Sequence, residues 1–233
     1  MTQSNFIEEL KKINIELTEE QLSKLEKYYE MLIEYNKVMN LTGITEKSEV
    51  YLKHFYDSLT LNKIIDLTKV NTLCDLGSGA GFPGIVLKIV FPNIKITLVD
   101  SLNKRINFLN DVIKELELIN IEAIHSRIEE YSLLHEEEYE VVTARAVAPI
   151  NILLELGSRL IKVGKYFICM KGNMENEPNY SNCINKLNLV EEDKVLFKLP
   201  IENSDRTLIR FNKKNGTPKL FPRKYGDIKK RPL

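Results

Sequence analysis

An α/β fold built on a mostly parallel, doubly wound sheet is the architecture this sequence predicts, with a small helical region ahead of it. Three observations predict it. From about residue 70, short β-rich runs alternate with amphipathic stretches long enough to be crossover helices, which is the pattern of parallel strands in one sheet. The first such strand runs straight into a glycine-rich turn and a helix. The first 65 residues show only helical spacing.

The elements follow in order. Thr18 and Gln21 have the spacing of a capping box, and Leu22, Leu25, Tyr28, Tyr29, Leu32 and Tyr35 recur behind them on one helical face. Asn40-Leu41-Thr42-Gly43 breaks that helix, and another is expected from about Lys47 to Ile64. Strands are expected at Thr72–Leu76, Lys95–Val99, Asn120–His125, Val141–Ala144 and Lys165–Met170. Helices are expected at Gly84–Phe91, Lys104–Leu116 and Ile150–Ile161, the second with Ile106, Leu109, Val112, Ile113 and Leu116 on one face. Beyond Pro178 the pattern weakens, and Leu187–Leu199 with Arg206–Phe211 read as an antiparallel pair closing one edge. The boundary between the helical region, 1–65, and the sheet domain, 66–233, is placed where the period changes.

Composition narrows the class. A chain of 233 residues with 43% hydrophobic side chains supports one good-sized core and a small appendage. No apolar run approaches the roughly 20 residues of a membrane span. Glu8 and Glu9 sit where a secretory signal would need apolar residues. Cys74, Cys169 and Cys183 are odd in number and far apart, which argues against a disulfide framework or a zinc site and for a reducing cytoplasm. The formal charge is zero, yet residues 206–233 carry ten basic side chains against Asp227 alone, while residues 1–60 are net acidic. Such a basic segment is either a footprint for a polyanion or a solvated tail.

The stretch Asp75-Leu76-Gly77-Ser78-Gly79-Ala80-Gly81-Phe82-Pro83-Gly84 carries the most information. Glycines at alternate positions permit positive φ and let a ligand lie against the backbone. Pro83 suits a first helical position, and free amides at a helix start attract negative charge. Gly79, Gly81 and Gly84 also satisfy the dinucleotide fingerprint, and Asp100 follows about twenty residues on, where a ribose-binding acid belongs. A nicotinamide cofactor and S-adenosylmethionine both remain open on the fingerprint alone. Three features favour S-adenosylmethionine: the early Gly77 behind Asp75, the amide missing at Pro83, and too little chain for a separate hydride-substrate domain.

These residues resemble the first motif of the bacterial ribosomal RNA small subunit methyltransferase G family. The resemblance continues through Asp100-Ser101-Leu102-Asn103-Lys104-Arg105, Ser126-Arg127-Ile128-Glu129-Glu130 and Thr143-Ala144-Arg145-Ala146-Val147-Ala148. It also takes in Asn36 to Thr42, His54-Phe55-Tyr56-Asp57-Ser58-Leu59, Lys171-Gly172 and Pro222-Arg223-Lys224-Tyr225-Gly226, in order over nearly the whole chain. It departs at Phe82, where many relatives carry leucine, and at Thr143, where serine is commoner. The resemblance implies a Rossmann-like S-adenosylmethionine-dependent methyltransferase fold. It implies methyl transfer to N7 of a guanine, guanine-527, in the 530 loop of 16S rRNA, with S-adenosyl-L-homocysteine as product. The implied partner is 16S rRNA or a small-subunit particle, and the protein is expected to be a cytoplasmic monomer away from membranes.

By the same resemblance, Gly77, Ser78, Gly79, Gly81 and Phe82 line the cofactor. Asp100 and Ser101 meet the ribose, and Ile128 and Glu129 flank the adenine. Arg145 faces the cofactor and substrate mouth and is the sharpest catalytic candidate; an ordinary salt bridge is its bland alternative. Arg127, Lys171, Arg223 and Lys224 are the expected RNA contacts. Guanine N7 carries a lone pair and no proton, so its methylation requires no general base, and no metal is expected. His54 with Asp57 reads as a helix-surface or interdomain pair, and His125 as structural. Two other functions remain in view: a NAD-dependent oxidoreductase, and an inert RNA-binding assembly factor.

Overall fold

The computed structural model describes all residues, Met1–Leu233. Its helices and strands, in chain order, begin with α1 (Gln3–Lys11) and α2 (Glu19–Met39). A continuous helical segment follows: α3 (Lys47–Val50), a π-helical stretch Tyr51–Tyr56, α4 (Asp57–Leu59) and a 3-10 turn Thr60–Lys63. The sheet domain runs β1 (Thr72–Leu76), α5 (Gly84–Val90), β2 (Lys95–Asp100), α6 (Asn103–Glu115) and β3 (Ile121–His125). It continues with α7 (Ile128–Leu134), β4 (Tyr139–Arg145), α8 (Ile150–Gly157) and β5 (Ile161–Lys171). The chain closes with α9 (Ser181–Lys186), β6 (Leu189–Lys198), β7 (Asp205–Lys213) and α10 (Tyr225–Lys230).

The seven strands lie in the order β3-β2-β1-β4-β5-β7-β6. The first five are parallel, and β7 inserts antiparallel between β5 and β6. The expected doubly wound sheet with an antiparallel edge is therefore present. Strand order reverses between β1 and β4, and in such sheets ligands bind outside the strand ends at that switch point.

Alternation along the strands divides the core. Leu73 and Val141 point to one face; Cys74 and Val142 point to the other. The first face carries a cluster of 39 buried residues and the second a cluster of 20. The larger cluster mixes Phe6, Leu25, Tyr28, Leu32 and Phe55 with Val86, Leu98 and Leu109. The helical region thus shares its core with the sheet, because α2 packs against α5 and α6.

Local signals explain the helix ends. Thr18 accepts from the Gln21 amide and the Gln21 side chain accepts from the Thr18 amide, closing the capping box as expected. The Gln21 side-chain amide also donates to Ile89 and Val90 carbonyls at the end of α5, tying the two regions together. Asn40 stops α2 in the left-handed conformation at φ 49°. Three short helices, α7, α9 and α10, were not expected from sequence; seven, six and six residues are too few for a period to show. Pro83 sits one position before the expected one, as the residue capping α5.

Candidate cofactor and substrate site

The glycine turn leaves β1 under strict constraint. Gly77, Gly79 and Gly81 all have positive φ, at 66°, 59° and 100°. The amides of Gly77 and Ser78 donate to Val99 O, and those of Gly81 and Phe82 to Ser78 O. Gly79 N donates to Asp100 Oδ2 at 2.9 Å, and Gly84 N donates to Asp75 Oδ2 at 2.9 Å. This corrects the expectation of free amides at the helix start. The turn commits all of these N–H groups but that of Ala80 to the protein, so it offers no row of donors to a pyrophosphate, and the nicotinamide alternative loses its main support. Asp75 is fully buried, its Oδ1 has no partner, and burial pushes its acid up to about 7.

Two cavities open at the strand ends on either side of Gly77. One, of about 370 Å³, is lined by Asp100, Ser101, Arg127, Ile128, Glu129, Val147 and Tyr225. The other, of about 540 Å³, is lined by Ser78, Gly79, Phe82, Arg145 and Lys171, with His54, Asp57 and Arg206. Gly77, Arg105 and Ala146 border both. A Cβ on Gly77 would meet Val147 Cγ2 at 2.6 Å and would sit on a backbone with φ 66°, so a side chain there would strain the turn and displace Val147. Asp100 closes β2 with 2% exposure; its Oδ1 accepts from Leu102 N at 2.9 Å and its Oδ2 from Arg105 Nη1 at 3.2 Å, in addition to Gly79.

Arg145 ends β4 and is followed by Ala146 at φ 56°, a conformation that costs a non-glycine residue about 1–2 kcal/mol. Its Nη1 donates to Lys53 O at 2.8 Å and to Asp57 Oδ2 at 3.0 Å. Its Nη2 lies 3.2 Å from His54 Nδ1, and its guanidinium stands 5.2 Å from the Phe82 ring centre. A guanidinium only donates, so beside Arg145 the Nδ1 of His54 accepts and Nε2 carries the proton toward Thr42 Oγ1 at 2.9 Å; the 3.2 Å approach of Nδ1 to Lys53 O is then a contact and not a hydrogen bond. Burial, and then the Arg145 charge, lower the His54 pKa to about 3. The His54 ring also stacks on Phe82 at 4.4 Å. His54 and Asp57 therefore face inward and meet through Arg145, which corrects the surface-pair reading and keeps the interdomain one.

Other expected residues are placed differently. Gly81 lines neither cavity; a Cβ there would meet Ile85 Cγ1 at 2.6 Å and Tyr28 Oη at 2.7 Å, so its role is to admit the N-terminal helix. Tyr28 donates from that position to Ala80 O. Lys171 lines the larger cavity, but its ammonium is committed to Glu177 and to Ala148 O at 2.8 Å. Arg223 lies away from both cavities. It donates through Nε and Nη2 to the two oxygens of fully buried Glu155, each at 2.6 Å. Lys224 is exposed beside it and lines neither cavity. Sequence reasoning missed Tyr28, Val147, Arg206 and Tyr225, because nothing in local spacing tells which distant side chain folds onto the turn.

Sheet order, glycine turn and paired cavities define the fold of the S-adenosylmethionine-dependent methyltransferases. A methyltransferase of that class from Aquifex aeolicus matches with TM-score 0.56 at 16% identity, covering 74% of this chain and 96% of its own. A mutant of MtNAS in complex with S-adenosylmethionine also matches with TM-score 0.56 at 16% identity, covering 81% and 76%. The particular family follows from sequence. The model of rRNA small subunit methyltransferase G matches residues 21–207. Ribosomal RNA small subunit methyltransferase G of Lysinibacillus sphaericus is 47% identical over all of both chains, and that of Staphylococcus aureus 45% identical over 100% and 99%. The chain belongs to the ribosomal RNA small subunit methyltransferase G family and is an S-adenosylmethionine-dependent rRNA methyltransferase.

Proposed function

We propose that the enzyme methylates N7 of a guanine in the 530 loop of 16S rRNA, the position numbered 527 there. The smaller cavity takes the adenosine of the cofactor, with Asp100 and Ser101 toward the ribose and Ile128 and Glu129 against the adenine. Gly77, which borders both cavities, would hold the cofactor's methionine end. The fit is supported by Gly77, Arg105 and Ala146, which border both cavities, and by the buried Asp100 carboxylate at the smaller one. The bound cofactor supplies a methyl group on a sulfonium, and the N7 lone pair forms the new bond as the carbon–sulfur pair returns to sulfur.

One observation carries the RNA reading. The larger cavity, beside the cofactor cradle, is lined by Lys53, Arg105, Arg145, Lys171 and Arg206; Asp57 is the single acid in the lining and is shared by Arg145 and Arg206, while Lys53, Arg105 and Lys171 pair with carboxylates outside it. Such a lining suits a phosphate-flanked base. The chemistry asks for alignment rather than proton removal, and alignment in well-oriented systems contributes up to about 7–11 kcal/mol. His54, the histidine nearest the cradle, is held neutral with both ring nitrogens engaged, so it shapes the site without taking a proton. Transfer of tritiated methyl groups to 16S rRNA, precursor particles and small subunits, followed by nucleoside mapping, tests the proposal. Label at guanine N7 in the 530 loop is the expected outcome; label elsewhere, or none, overturns it.

A further inference from the structure

Asp57 stands in the larger cavity with 5% exposure, and its two oxygens do separate work. Oδ2 accepts from Arg145 Nη1 at 3.0 Å; Oδ1 accepts from Arg206 Nε at 3.0 Å. The two arginines leave different strands, β4 and β7, which are separated by β5. One carboxylate from the helical region therefore bridges across a strand of the sheet. We propose that Asp57 is a positioning residue for methyl transfer, setting the distance between a guanidinium at the cofactor cradle and a guanidinium at the RNA mouth. The proposal rests on the rRNA guanine reading above.

The disposition of donors supports this. Arg145 commits Nη1 to Lys53 O and Asp57, and one Nη2 proton to His54. Arg206 commits Nε to Asp57 and Nη1 to Ser204 Oγ at 3.2 Å and Asp205 O at 2.8 Å. Arg206 Nη2 has no protein partner, and both arginines line the cavity. A guanidinium whose orientation is fixed while a donor stays free is suited to a phosphate or a guanine acceptor edge. The pair would repel without the anion between them, since two cations and one carboxylate leave a single net positive charge.

The helix geometry serves the same end. Asp57 N bonds to Leu52 O and His54 O rather than to Lys53 O, and Lys53 O accepts from Arg145. The π-helical turn thereby directs Lys53 O, His54 and Asp57 at one guanidinium; such turns recur at functional sites.

The test is a mutant cycle on the full-length enzyme. Asp57→Asn is nearly isosteric, but its amide nitrogen cannot accept from either arginine. With saturating S-adenosylmethionine and 16S rRNA substrate, its single-turnover rate should fall about a hundredfold, the scale of a 1 Å misplacement. Calorimetric affinity for S-adenosylmethionine should fall far less than the transfer rate, because Lys53 O and His54 still hold Arg145. Arg206→Gln should also slow transfer, and the double variant should be no slower than the worse single one, because the two residues act as one unit. An unchanged rate in Asp57→Asn, losses that multiply in the double variant, or a loss explained wholly by cofactor affinity would each overturn the role. If Asp57→Asn does not fold, Asp57→Glu carries the same test: it keeps the charge, shifts both arginines by one methylene, and should slow transfer with cofactor affinity kept. A wild-type enzyme inactive on 16S rRNA sinks the functional reading itself; an active wild type with an equally active Asp57 variant sinks this role alone.

Discussion

The two ends of the chain exchange the parts that their charges suggest. The acidic N-terminal region reads as an appendage, yet it supplies Tyr28, Lys53, His54 and Asp57 to the site. The basic C-terminal segment reads as an RNA-binding arm, yet much of its charge is matched inside the fold. Arg206 pairs with Asp57, Arg210 with Asp193, Lys213 with Glu137, Lys214 with Glu192 and Arg223 with Glu155. Only Lys219, Lys224, Lys229, Lys230 and Arg231 remain exposed without such a partner. Charge counted along a sequence says nothing of which cations are already matched across the fold.

The contrast can be broken at either end. Arg145→Ala removes the group on which the N-terminal region converges, and turnover should drop by on the order of a thousandfold, at the upper end for loss of one positioned donor. Circular dichroism should remain native. Retained cofactor binding by calorimetry assigns Arg145 to the RNA side, abolished binding to the cofactor side, and full activity rejects both.

Arg223→Ala should act on stability instead. It strands the buried Glu155 carboxylate, which costs roughly 3 kcal/mol, the low end for breaking a buried pair because Arg223 keeps some solvent exposure. Denaturant melts should show the loss, while salt dependence of RNA binding stays as in the wild type. A stable variant with a flattened salt slope would return Arg223 to the RNA.

His54→Asn tests the N-terminal region by pH. The unfolded histidine takes up a proton near its ordinary value, whereas the folded one resists until about 3. Stability should therefore fall with acidification from about pH 6.5 downward as the unfolded state binds the extra proton. Denaturant midpoints across pH 4–7 should flatten by up to one proton in the variant; parallel curves would mean that His54 is not held neutral.

The smallest effect belongs to the tail. Replacing Lys229, Lys230 and Arg231 with alanine should weaken RNA binding a few-fold and flatten the salt slope, by about 0.7 for each single-strand phosphate that is no longer neutralised. Cofactor affinity should not move. An unchanged slope and affinity would leave these charges as solvated surface.

Periodicity made the sheet legible, since β1, β2, β4 and β5 carry buried residues that alternate between two faces, while the edge strand β3 has only half-buried and exposed ones. Leu73 and Cys74 show why: their neighbours differ, but their residue types already tell that both are inside. The grouping of Asp100, Ser101, Ile128 and Glu129 around the smaller cavity was legible too, because they follow strand ends in order and the topology alone brings such ends together. The larger cavity was not. Its partners come from residues 53–57 and 206, about 90 and 60 positions from Arg145, and no local rule connects them. Gly81 shows the same limit in reverse: its glycine signal was real, but the neighbour requiring it is Tyr28 rather than a ligand.

The packing of Tyr28 against the turn bears on where the molecule can be divided. The change of period near residue 65 resembles a seam, as in enzymes that join a recognition module to a self-sufficient catalytic one. Here the floor beneath Ala80 and Gly81 is a tyrosine from the second helix. A fragment beginning at β1 would keep all three turn glycines and lose the surface on which they rest. The turn is a joint product of the helical region and the sheet, so insertion, deletion or domain exchange in the first forty residues acts on the glycine turn itself.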